Sequence, residues 1–152
     1  MLPRVASSVA VVLLAAWVAS AGCSGPPGKG ARLNAGEKCI DCHRPGGKAM
    51  EFPHAVAGTV YPSASAPADG GAPGVEIVLR DGRGRTLQLT SNGVGNFWSK
   101  DGLEFPVAAE TRRPDGGASL ASPGPTCLSG ECNACHTVPP AGGARGRVAA
   151  PP

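Results

Sequence analysis

Residues 74–98 read GVEIVLRDGRGRTLQLTSNGVGNFW, and the alternation in this stretch decides the fold. In an extended chain Val75, Ile77 and Leu79 share one face while Glu76 and Arg80 take the other. Leu87 and Leu89 alternate in the same way with Thr86, Gln88 and Thr90. A period of two marks half-buried strands, not helix. Asp81-Gly82 and Asn92-Gly93 interrupt the alternation with turn residues. Asp101-Gly102 repeats the signal at a spacing of about ten residues, as in a sandwich or meander.

Further strands are expected on both sides, HAVAGTVY over 54–61 and LEFPVAAE over 103–110. In the second, Leu103, Phe105 and Val107 alternate with Glu104 and Pro106. Pro106 has no N–H to give a ladder, so its strand should lie at an edge or stop there. With 75–81, 85–91 and 95–98 this makes five strands, and the chain beyond the first 22 residues shows no sustained 3.6-residue apolar stripe. The expected class is mainly β, a small sandwich with little helix. The segment resembles the carboxypeptidase regulatory-like sandwich, a transthyretin-like, immunoglobulin-like fold. The matching residues are Gly58-Thr59-Val60-Tyr61, Pro73-Gly74-Val75 with Ile77 and Leu79, Asp81, Gly84, and the run Thr90 to Phe97. The resemblance implies a scaffold without chemistry of its own.

A chain of 152 residues has room for one ordinary domain. Its 23 glycines and 16 prolines crowd around residues 22–30, 62–74, 114–125 and 139–152. Aromatic residues are only 4%, so the core is thin, and thin cores usually need disulfides, a metal or another cofactor. The net charge of +3 comes without a basic cluster interleaved with aromatics, which argues against nucleic-acid binding.

The N-terminus, MLPRVASSVAVVLLAAWVASAGC, reads as an export signal. Arg4 precedes an apolar run from Val5 to Val18, too short for a comfortable membrane span, and small residues lead up to Cys23. Ser20-Ala21-Gly22-Cys23 resembles a bacterial lipobox, with Ser20 where Leu is commonest. That resemblance implies lipidation of Cys23 and anchoring at the periplasmic face of a membrane or at an outer membrane. Ordinary cleavage, leaving Cys23 a plain thiol, stays open. The resulting division is a signal peptide (1–22), a flexible tether (23–36), a first cysteine–histidine loop (37–53) and the sandwich (54–110). A linker with a second loop (111–138) and a flexible tail (139–152) complete the chain.

Those loops carry the chemistry. CIDCH, residues 39–43, returns as CNACH, residues 132–136, and together they use four of six cysteines and two of three histidines. In Cys-x-x-Cys-His the two thiols match the two vinyl groups of one haem, and the adjacent histidine falls under the iron. Two such motifs in an exported chain resemble multihaem c-type cytochromes. The resemblance rests on Cys39, Cys42 and His43 and on Cys132, Cys135 and His136, and it implies two covalent c-type haems. One zinc on four thiolates, or disulfides, are the competing readings, and both leave the histidines unexplained.

With His43 and His136 as proximal ligands, His54 and Met50 remain as distal candidates. His54, eleven residues from His43, reaches at most ~35 Å and is the simpler partner for the first iron. Met50 is assigned either to the second iron or to packing near Phe52. The expected function is an exported dihaem cytochrome carrying electrons between a membrane or periplasmic donor and an external or periplasmic acceptor. It is not expected to be an enzyme. Its expected partners are redox proteins and, through the lipid anchor, a membrane; self-association stays open. A non-redox module with a structural zinc is the alternative, as is a haem sensor or peroxidase if one iron is five-coordinate. Cys127 is left over. Trp98 is expected to pack against the core or a haem edge, and Arg112, Arg113, Arg145 and Arg147 are candidates for haem propionates. The motifs flank the first and last expected strands, so the sandwich is expected to bring them together.

Overall fold

The structure, a computed structural model, describes residues 34–122 and 127–152. The leader, Cys23 and most of the tether lie outside these residues. Among the described residues seven strands form two sheets: β1 (Val56–Tyr61), β2 (Glu76–Asp81), β3 (Thr86–Thr90), β4 (Asn96–Ser99), β5 (Val107–Arg112), β6 (Ser119–Ala121) and β7 (Val148–Ala149). One sheet has the order β4-β1-β7, and the other, wholly antiparallel, has β3-β2-β5-β6. The only helical pieces among the described residues are one α turn, α1 (Cys39–Cys42), and a 3-10 turn, Cys132–Ala134.

The alternation read in the sequence is the packing observed. Val75, Ile77, Leu79 and Val107 of the larger sheet meet Val56, Val60 and Phe97 of the smaller one, and Leu87 and Leu89 pack at the margin. Fully burying a side chain of this size contributes about 1.5–3 kcal/mol, so this small cluster is the main cohesive force. Two turns use one device. Asp81 Oδ1 accepts the N–H groups of Arg83 and Arg85, and Asn92 Oδ1 accepts those of Val94 and Asn96. In each the fourth residue, Gly84 or Gly95, takes a positive φ, 84° or 81°. An aspartate or asparagine that caps its own turn, followed by a glycine in the left-handed region, closes a tight connection without strain.

Three expectations need correction. The fifth strand stops at Pro106 on its N-terminal side, as one of the two expectations had it, but it runs from Val107 on to Arg112 instead of over 103–110, and it lies between β2 and β6, not at an edge. Ser119–Ala121, expected as linker, is β6. The tail is not a loose end: β7 pairs in parallel with Val60 and Tyr61, the Ala150 N–H donates to the Tyr61 carbonyl at 2.7 Å, and the Arg147 guanidinium lies 4.2 Å from the Tyr61 ring centroid. Alternation is invisible in a two-residue strand, so pairing partners, not propensity, place it.

Asp81 is held below the usual carboxylate range. Burial works against its charge, but backbone N–H groups of Arg85, Glu104 and Arg83 outweigh it. A depressed folded-state pKa gives stability above the unfolded value of ~3.9 that is lost as pH falls through the folded value. Asp81→Asn should therefore melt lower than wild type at neutral pH, with the gap closing in acid, in thermal melts from pH 7 to pH 2. On β1, a Cβ added at Gly58 would sit 2.7 Å from Phe97 Cζ and 2.8 Å from Cys132 Cβ. Gly58→Ala is expected to destabilise by about 1–3 kcal/mol in urea titrations, the usual cost of overpacking.

Candidate functional site

The two cysteine–histidine motifs adopt the same local shape. In the first, α1 sets Cys39 and Cys42 one turn apart, and the His43 N–H donates to the Cys39 carbonyl at 2.9 Å. In the second, the 3-10 turn does likewise, and the His136 N–H donates to the Cys132 carbonyl at 3.0 Å. The likeness extends to the rings. His43 Nδ1 lies 2.7 Å from the Phe52 carbonyl oxygen, and His136 Nδ1 lies 2.8 Å from that of Gly146. A carbonyl only accepts, so each Nδ1 carries the proton. In its neutral form each ring therefore keeps its lone pair on Nε2, the tautomer of a metal-ligating histidine whose other nitrogen is fixed by a hydrogen bond.

Both motifs dock on β1, all six residues of which are buried. One edge of β1 pairs with β4 from Val56 to Thr59. The opposite edge is completed piecemeal. Ala57 donates to the Gly130 carbonyl at 2.9 Å, the Thr59 N–H donates to Asn133 Oδ1 at 3.1 Å, and β7 takes over at Val60. Asn133, 1% exposed, thus stands in for a strand. The Thr59 hydroxyl donates to Asn96 Oδ1 at 2.8 Å and accepts from the Gly36 N–H at 2.9 Å and from Asn133 Nδ2 at 3.2 Å. Across the junction, Glu131 Oε2 accepts the Ile40 N–H, and Asn133 Nδ2 donates to the Glu37 carbonyl at 2.8 Å. The expected meeting of the two motifs is present in the structure.

The sulfurs differ. Cys39, Cys127, Cys132 and Cys135 are free, whereas Cys42 is buried and disulfide-bonded. Burial, reinforced by Glu131, pushes the Cys39 thiol up to about 12, and burial also raises Cys132 and Cys127. Cys127 bridges Val107 through its backbone and packs partly buried against the core. Among the described residues no three His, Cys, Asp or Glu side chains converge as metal ligands.

The structure places His54, the distal candidate, beside the proximal candidate of the same motif. Its ring lies flat on that of His43, with centroids 3.9 Å apart and planes at 7°. Burial, followed by the neighbouring His43, lowers the His54 pKa. Trp98 continues the stack, 5.8 Å from His54, and is 39% exposed instead of forming core. Met50 is exposed on the first loop. Phe52, Pro53, His54 and Trp98 line an open hollow of about 430 Å³ beside His43. Of the arginines, Arg112 pairs with Glu110, Arg113 with Asp115, and Arg147 covers Tyr61, while Arg145 is exposed.

Three residues central to the site carried no signal that the sequence reading used for this role. Thr59 passed as a strand residue, and Glu131 and Asn133 passed as the variable letters around Cys132. The available clue was an asparagine and a glutamate flanking a cysteine that must itself be buried. No protein-family model, curated protein or solved structure matches this chain.

The carbonyl partners fix an unusual pair of tautomers. In nitrogen-15 spectra of the haem-free chain above pH 8, both His43 and His136 should show a protonated Nδ1 and a bare Nε2. The Nε2–H form at either ring would contradict the hydrogen bonds described.

Proposed function

We propose that this chain is a dihaem c-type cytochrome, a carrier of electrons and not an enzyme. The observation that carries the reading is the duplicated geometry. Two Cys-x-x-Cys-His units far apart in sequence each close on their first cysteine and each present a histidine Nε2 with Nδ1 held by a backbone carbonyl. Cys39 and Cys42 would hold one haem and Cys132 and Cys135 the other, with His43 and His136 as proximal ligands. The bound group supplies reversible one-electron iron chemistry.

The surrounding residues suit a large apolar macrocycle. Met50 and Phe52 after the first motif, and Leu128 and Val138 around the second, are exposed at 59%, 68%, 80% and 53%. Large apolar side chains left in water beside a site mark a surface meant to be covered. Thioether attachment at Cys42 requires its disulfide to be reduced first, because one sulfur carries one of the two bonds. The sixth ligands divide two versions of the proposal. With His54 stacked on His43 and Met50 exposed, an open iron at one site, as in a sensor or peroxidase, is the second reading.

The export signal, the anchor at Cys23 and a periplasmic or outer-membrane location remain part of the proposal, as do redox proteins as partners. Among the described residues no helix is long and apolar enough to cross a membrane.

Produced with c-type maturation machinery, the chain should carry two covalent haems by pyridine haemochrome assay. Replacing both cysteines of either motif with alanine should leave one. Low-spin spectra at both irons support a carrier, and one high-spin, ligand-binding iron supports the second reading. A colourless, zinc-loaded product would overturn both.

A further inference from the structure

Glu131 and Asn133 flank Cys132, yet their side chains act on the other motif. The first helical turn, α1, has no side-chain cap from Lys38, and the early N–H groups of a helix have no partner within it. Glu131 provides one from the second motif, since its Oε2 accepts the Ile40 N–H between Cys39 and Cys42. Its own backbone is pinned beside Ala57 of β1. Asn133 is anchored on Thr59 through Oδ1 and reaches the first loop through Nδ2, 2.8 Å from the Glu37 carbonyl and 3.9 Å from Cys39 Sγ. Glu131 Oε1 is buried with no hydrogen-bond partner among the described residues. Burying such an oxygen unpaired is a cost that a loop serving stability alone would avoid with an apolar residue.

We propose that Glu131 and Asn133 are positioning residues that lock the two Cys-x-x-Cys-His units into one fixed mutual arrangement, so that the haem pair behaves as a coupled unit. The proposal rests on the dihaem reading for its consequence but not for its geometry. Two separate anchors, one on the α1 backbone and one on the loop before it, remove the freedom of the first motif to swing against the second. Thr59 sets both in register with the sheet.

Two readouts separate this proposal from the dihaem reading. In the full chain without haem, the Ile40 amide should exchange slowly with solvent deuterium. It should exchange about tenfold faster in Glu131→Ala, as for loss of one charge-assisted hydrogen bond. Glu131→Gln retains an acceptor oxygen and should restore protection. In the haem-loaded chain, the Soret circular dichroism should show the bisignate couplet of two interacting chromophores. Its amplitude should fall by about half or more in Glu131→Ala and in Asn133→Asp, while the covalent haem count stays at two. Asn133→Asp still accepts from Thr59 but no longer donates to Glu37, so it cuts the link without undocking the motif. Unchanged Ile40 exchange in Glu131→Ala overturns the proposal, as does an unchanged couplet in a variant that holds two haems. A chain that takes up no haem refutes the dihaem reading, and Ile40 exchange still decides the positioning role.

Discussion

The Thr59 hydroxyl is the point on which the site depends. It donates to Asn96 on the neighbouring strand and accepts from Gly36 ahead of the first motif and from Asn133 inside the second. One donor and two acceptor directions are all that a hydroxyl has, and all are used. The residue is fully buried, so each bond forms away from competing water. An edge strand would otherwise offer unpaired N–H and C=O groups to other chains. Here the edge of β1 is closed by the functional loops themselves. Folding the sandwich and assembling the two motifs are therefore parts of one event.

That sharing accounts for how a chain with so few aromatics holds two extended loops. Cys132 packs against the hydrophobic cluster beside Gly58, and the absence of a side chain at Gly58 is what admits it. The tail contributes too. β7 covers the end of β1, and the hydroxyl of Thr111 on the larger sheet donates to the Ala149 carbonyl at 2.8 Å. The Gly146 carbonyl just before β7 receives the His136 ring. A segment with no packing pattern of its own thus closes the sheet and fixes a ring tautomer.

What was legible in the sequence follows from range. Strands β1 to β5 and their turns are local matters: alternation in Val75, Ile77 and Leu79, and self-capping by Asp81 and Asn92, need only neighbouring residues. Even there the turn glycines with positive φ are Gly84 and Gly95, not Gly82 and Gly93, because the cap's second acceptor contact sets the turn length. The two Cys-x-x-Cys-His units stand out in the sequence because their spacing repeats, and the structure gives both the same local turn. Strand β6 pairs with nearby β5, but its three exposed residues show no alternation. Strand β7 and the roles of Thr59, Glu131 and Asn133 depend on partners 23 to 96 residues away, and nothing in a local pattern carries that information. The place of the His54 ring was not legible for a related reason. Reach limits where a ring can go, but stacking on His43 and Trp98 decides where it lies.

The stack also bears on how the first motif meets solvent. His43, His54 and Trp98 form a continuous aromatic column that ends at an exposed indole beside an open hollow. His43 is held from both sides, by the Phe52 carbonyl at Nδ1 and by the His54 face, while the His54 N–H donates to the His43 carbonyl at 2.8 Å. Among the described residues the second motif has no such column, and its ring is fixed by the tail. Two sites alike in covalent pattern and tautomer therefore differ in what surrounds them. Environment tunes the potential of a haem iron through hydrogen bonding and solvent access. Under the dihaem proposal, such unequal surroundings would set the two potentials apart and give electron flow a direction across the junction that Glu131 and Asn133 hold.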